Sequence, residues 1–68
     1  MYSYKERVAK RLKQGNTIKI FGADDVSFTW WDVVAMYPDG NNIAFVLTDG
    51  IQHIDFTIPC DTHFTVRY

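Results

Sequence analysis

Ser27-Phe28-Thr29-Trp30-Trp31-Asp32-Val33-Val34-Ala35-Met36-Tyr37-Pro38 decides how this chain folds. It holds both tryptophans, side by side, and its only charge is Asp32. Its first half alternates. Val26, Phe28 and Trp30 share one face, and Ser27, Thr29 and Trp31 share the other. After Asp32 the apolar residues run without interruption. A strand whose alternation breaks in this way is predicted to carry a bulge or bend near Trp31-Asp32. β-Branched and aromatic residues dominate, and the Pro38-Asp39-Gly40 turn closes the run. That composition favours a long strand over about 26–37 rather than a helix. By phase, Trp30 is expected inside; Trp31, on the opposite face, is either exposed as an interface anchor or buried beneath an N-terminal helix.

Working outward, Pro38 to Asn42 reads as a turn and residues 43–48 as a strand. Asp49-Gly50 is a hairpin signal, followed by a strand over about 52–58. Pro59-Cys60-Asp61-Thr62 interrupts the pattern before a last strand at 63–68. Upstream, Ile18 and Ile20 against Lys19 mark a strand at 17–21, and Gly22 to Asp25 a turn. Ser3 and Glu6 match a capping box, and Tyr4, Val8 and Leu12 recur at four-residue spacing. Together they predict an amphipathic helix over about 4–14, stopped at Gly15-Asn16.

The expected fold is therefore a single α+β domain over residues 1–68. An N-terminal helix precedes a five-stranded antiparallel small barrel or strongly bent sheet. This order of elements, with its long bent second strand and a short turn before the last one, resembles the SH3-like and Sm-like barrels. What the resemblance implies is a fold that hosts many functions.

A chain of 68 residues buries only about 60% of the surface its unfolded form exposes. A partner subunit is one common remedy for a small core. Cys60 is the sole cysteine, which rules out an internal disulfide and fits a reducing, cytoplasmic setting. The basic opening segment has no apolar run, so neither a signal peptide nor a membrane role is expected.

The net charge of −1 conceals a division. Residues 1–19 carry Lys5, Arg7, Lys10, Arg11, Lys13 and Lys19 against Glu6. Residues 20–68 carry Asp24, Asp25, Asp32, Asp39, Asp49, Asp55 and Asp61 against Arg67. Such asymmetry invites a charged partner or a second copy of the chain.

The sequence offers residues for four classes of chemistry. Cys60 and His63, with His53 or Asp55, have the residue types of a zinc site, but paired cysteines are missing; no metal or cofactor is expected. Cys60 as a nucleophile sits beside Asp61, which opposes thiolate formation, so the chain is read as non-catalytic. Arg7, Lys10, Arg11 and Lys13 supply phosphate contacts for an Sm-like or cold-shock-like nucleic-acid binder, with Tyr2, Phe21 and Trp31 as outward aromatics. This is the alternative reading. The leading one is a small protein-interaction module, of the kind a phage or mobile element uses as an accessory protein or inhibitor. Asp24, Asp25, Trp31, Asp32 and Asp39 would form an acidic surface with an aromatic anchor for a larger protein with a basic surface. Self-association into a homo-oligomer is also expected, through an open strand edge.

Overall fold

The computed structural model describes residues 2–68. Six strands account for most of it: β1 (Tyr4–Val8), β2 (Thr17–Phe21), β3 (Phe28–Asp39), β4 (Asn42–Thr48), β5 (His53–Pro59) and β6 (His63–Arg67). They form one antiparallel sheet in the order β1-β6-β2-β3-β4-β5. Among the described residues no helix is long and apolar enough to cross a membrane.

Two expectations are corrected. The α+β class with a helix over 4–14 gives way to an antiparallel sheet, and the five-stranded SH3-like or Sm-like barrel gives way to an open sheet of six strands with β1 and β5 at its edges. The first error has a simple cause. Tyr4, Val8 and Leu12 are spaced by four, which fits a helix face but also fits every second pair of positions on a strand. An isolated helix of that length is marginal in water. Against it stands β6, whose free edge gains five residue pairs from β1, from Tyr4↔Arg67 to Val8↔His63. Long-range pairing overrides the local signal. What remains helical is one 3-10 turn, Ala9–Arg11, with no side-chain cap.

β3 spans 12 residues because it serves two ladders. Phe28 to Asp32 pair with β2, and Asp32 to Asp39 pair with β4. Asp32 alone is paired on both sides, with Thr17 and with Thr48. The register shifts between Val33 and Ala35, which leaves Val34 as the extra residue of a bulge. Bulges sharpen strand twist and bend. This one lies just beyond the Trp31-Asp32 site expected from the sequence. It also resets the phase: Val33 opposes Leu47 and Met36 opposes Phe45, so both point inward.

The inner face holds the core. Ile18, Trp31, Val33, Phe45, Leu47, Phe64 and Val66 are buried there, and Ile54, Phe56 and Ile58 pack against them. The sheet curls enough for β5 to face β6, with the rings of Phe56 and Phe64 6.4 Å apart. Residues 9–16 cross over the core, burying Ala9 and Leu12. This crossing is fixed by its main chain. Ala9 N–H donates to Thr62 C=O (2.7 Å), Lys10 N–H to Cys60 C=O (3.1 Å) and Gly15 N–H to Val33 C=O (2.8 Å).

Trp30 lies on the face opposite to the one expected, and of the two alternatives for Trp31 burial holds. Trp31 is 9% exposed and belongs to the core, while Trp30 is half-buried on the outer face. Trp31 pairs with buried Ile18, and Trp30 with Lys19. The deciding residue is Asp32. A carboxylate with its partner at the surface must face water, so Trp31 and Val33 on either side of it face in. Trp30 and Phe28 then face out.

Candidate functional site

The outer face of β1, β6, β2 and β3 carries a continuous array of aromatic and cationic side chains. β2 contributes Lys19 and Phe21, β3 contributes Phe28 and Trp30, and β6 contributes Arg67. Tyr4 comes from β1, and Tyr2 precedes it. Cross-strand pairing brings them together: Phe21 opposes Phe28, Lys19 opposes Trp30, and Arg67 opposes Tyr4. Phe21 is 54% exposed and Phe28 47%. Tyr2 and Tyr4 are also exposed.

The cations are held over the rings. Lys19 Nζ lies 4.3 Å from the centre of the Phe28 ring, 5.4 Å from Trp30 and 5.6 Å from Phe21. The Arg67 guanidinium carbon lies 4.7 Å from the Trp30 ring and 4.4 Å from that of Tyr2. The rings also contact one another edge-on: Phe21 and Phe28 at 6.1 Å, Phe28 and Trp30 at 6.0 Å. Tyr4 lies tilted against Trp30 at 5.8 Å. Trp30 is thus the hub. Cation–ring contacts at exposed sites contribute about 0.5–1 kcal/mol each. They limit the motion of two long side chains.

The aspartates have other work. Asp24 Oδ1 accepts from the main-chain N–H groups of Ser27 (2.9 Å) and Val26 (3.1 Å), and Oδ2 from the Ser27 hydroxyl (2.9 Å). Those bonds, Ser27 first, hold its carboxyl below the ordinary range. Asp49 repeats the motif in the β4–β5 turn, accepting from Gln52 and Ile51 N–H, both at 2.9 Å, with its pKa lowered for the same reason. Asp32 accepts from the Thr17 hydroxyl at 2.6 Å. Asp25 and Asp39 are exposed, Asp25 with a positive φ of 57°. Trp31, the expected anchor of the acidic surface, is buried and is not available to a partner.

The basic residues divide too. Arg7 lies on the edge strand β1, where its guanidinium donates to Glu6 C=O at 3.3 Å. Lys10, Arg11 and Lys13 are exposed on the crossing segment over the inner face, away from the aromatic array. Of the aromatics expected outside, Tyr2 and Phe21 are exposed and Trp31 is not. Among the described residues, no three of the His, Cys, Asp and Glu side chains gather as a metal ligand set, so His53, Asp55, Cys60 and His63 do not come together as one. Cys60 is a free, half-buried thiol.

Sequence reasoning missed Phe28, Trp30, Lys19 and Arg67 as a surface. The available signal was parity. Fixing Asp32 outward places Trp30 and Phe28 outward with it, and fixing Ile18 and Ile20 inward places Lys19 and Phe21 on the same outer face. The chain matches no protein-family model, no curated protein and no solved structure.

Proposed function

We propose that this chain is a non-catalytic protein-interaction module that docks through the aromatic–cationic outer face of β1, β6, β2 and β3. The observation that carries the proposal is the array centred on Trp30, with Lys19 and Arg67 lying over its ring. Tryptophan, tyrosine and arginine on a rigid support are the residues that dominate protein interfaces. The partner is a protein surface with an apolar centre and carboxylates around it, matched to the two cations.

A single-stranded nucleic acid is the competing ligand for aromatic residues beside cations. Three features favour protein. The cations already cover ring faces that bases would stack on. Asp32 and Glu6 share the face and oppose a phosphate chain. Three of the other five basic side chains, Lys10, Arg11 and Lys13, lie on the crossing segment over the inner face, and Lys5 and Arg7 alternate with Tyr4 and Glu6 on β1.

The test places a photo-crosslinking amino acid at Phe28 and, as a control, at Ile51 in the distant β4–β5 turn. In the source cells the Phe28 site is expected to yield a discrete protein adduct that disappears on Lys19→Ala/Arg67→Ala, with no adduct from Ile51. Oligothymidylate or oligouridylate that binds the Phe28 face in a salt-sensitive manner, with no protein adduct, would replace this reading by the nucleic-acid one. Salt-sensitive binding lost only in Lys10→Glu/Arg11→Glu would move the site to the crossing segment.

A further inference from the structure

β6 pairs with β1 along its whole length but with β2 at two positions, Thr17↔Arg67 and Ile18↔Val66. Beyond Ile18 the strands part. β2 continues through Lys19, Ile20 and Phe21, paired only to β3. β6 runs away through Thr65, Phe64 and His63, paired only to β1. Among the described residues no turn or loop main chain bonds to Lys19–Phe21 or His63–Thr65 from the vacant side.

Between the diverging strands lies a cleft of about 350 Å³. Lys19 and Phe21 form one wall; His63, Thr65 and Glu6, which pairs with Thr65 from β1, form the other. The floor is apolar: Ile20, Phe64 and, from the facing strand β5, Phe56. Main-chain N–H and C=O groups seek hydrogen bonds wherever water is displaced. Here they border an apolar floor, inside a sheet rather than at its edge. The volume is at the lower end for ligand pockets, which run from about 300 to 1,000 Å³. It suits one large side chain with a short length of main chain. Lys19 and Phe21 belong both to this wall and to the aromatic face, so the two surfaces are continuous.

The geometry points to a strand-addition site. An extended segment of the protein partner pairs its main chain with the open edge of β2 and seats one large apolar side chain on Ile20, Phe56 and Phe64. This rests on the protein-docking reading and specifies how the partner is gripped. Main-chain pairing supplies affinity and the floor supplies selectivity, as in other strand-addition complexes.

The test uses the full chain, isotope-labelled for amide NMR. The probe is a capped pentapeptide of four threonines around a central phenylalanine; its control has alanine at the centre. The phenylalanine peptide is expected to shift and protect amides of Lys19–Phe21. The alanine peptide is expected to bind about tenfold more weakly or worse, from the lost burial of a phenyl group. Thr65→Trp, which fills the cleft, abolishes peptide binding, and Ile51→Ala, exposed in the distant β4–β5 turn, leaves it intact. Equal affinity for the two peptides, shifts confined to Phe28 and Trp30, or no shifts at all would overturn the cleft assignment. Each of those results leaves the outer-face reading to be judged by the Phe28 adduct. Failure of the parent chain to give the Phe28 adduct, while the peptide still binds, would instead sink the face and keep the cleft.

Discussion

Replacing each tryptophan in turn separates the two faces of β3. Trp31 is 9% exposed and packed among Ile18, Val33 and the other core residues. Truncating a buried tryptophan to alanine costs about 3–5 kcal/mol, through lost burial and the cavity left behind. A chain this size has roughly 3–10 kcal/mol of total stability at 0.05–0.15 kcal/mol per residue. Trp31→Ala therefore removes a large share of the total and leaves the chain marginal or unfolded. Trp30→Ala loses the two cation contacts, about 0.5 kcal/mol each at the low end that exposure sets, and the ring contacts with Phe28 and Tyr4, about 0.5 kcal/mol each at the low end for exposed pairs. The sum, about 2 kcal/mol, leaves a folded protein. Urea unfolding followed by far-ultraviolet circular dichroism measures both. With a slope of about 1 kcal/mol per molar, the midpoint falls by about 2 M in Trp30→Ala. In Trp31→Ala little or no folded baseline remains. Fluorescence gives a second readout: Trp31→Phe retains the quencher-accessible indole, and Trp30→Phe retains the shielded one. A larger loss from Trp30→Ala than from Trp31→Ala, or a shielded indole surviving Trp31→Phe, would refute the assigned phase of β3.

Asp24 and Asp49 give the fold an acid sensitivity of defined sign. Both release their proton more readily when folded than at the ordinary value of 3.8. Their stabilisation is therefore complete above that value and is lost as pH falls through the folded pKa. Lowering the pH from about 5 to about 2 should depress the urea midpoint less in Asp24→Asn/Asp49→Asn than in the parent. Gly50 closes the β4–β5 hairpin at φ +99°, a conformation that costs an L-residue about 1–2 kcal/mol. Gly50→Ala should lower Tm by roughly 4–16 °C in a thermal melt. Leu12 is buried where the crossing segment covers the core. Leu12→Ala should cost about 2–5 kcal/mol by chemical denaturation, whereas Lys13→Ala beside it should change little.

The parts of the fold legible in sequence are those in which local chemistry acts alone. Asp49-Gly50 announces its hairpin because few residues tolerate the backbone it needs. Ile18 with Ile20, and Phe45 with Leu47, alternate on strands whose inner face they fill. Two features resist such reading. Tyr4 to Val8 becomes a strand only because β6 offers an unpaired edge sixty residues away, and nothing within the segment encodes that edge. The phase of Trp30 and Trp31 is undecided by hydrophobicity, since both are equally apolar. It is settled by Asp32, and the bulge at Val34 lies two residues beyond it, further along than the break in alternation implied. The centre of the outer face is hidden by the same phase, because placing Trp30 inside takes Phe28 in with it and leaves Tyr2 and Phe21 without the rings they adjoin. The cleft beside it depends on where β6 stops pairing with β2, a long-range property with no local signature.

The double pairing of Asp32 bears on how this protein changes over generations. Because β2 and β4 share a single residue of β3 as a common neighbour, substitutions on the β4–β5 hairpin reach the aromatic face by few direct cross-strand routes. Insertions at the Asp39–Asn42 turn or exchanges on the solvent side of β5 are thus free to accumulate without redrawing the aromatic–cationic face. A library confined to the solvent side of the β4–β5 hairpin should therefore retain the aromatic face, whereas buried positions of the two halves meet in one core and vary together.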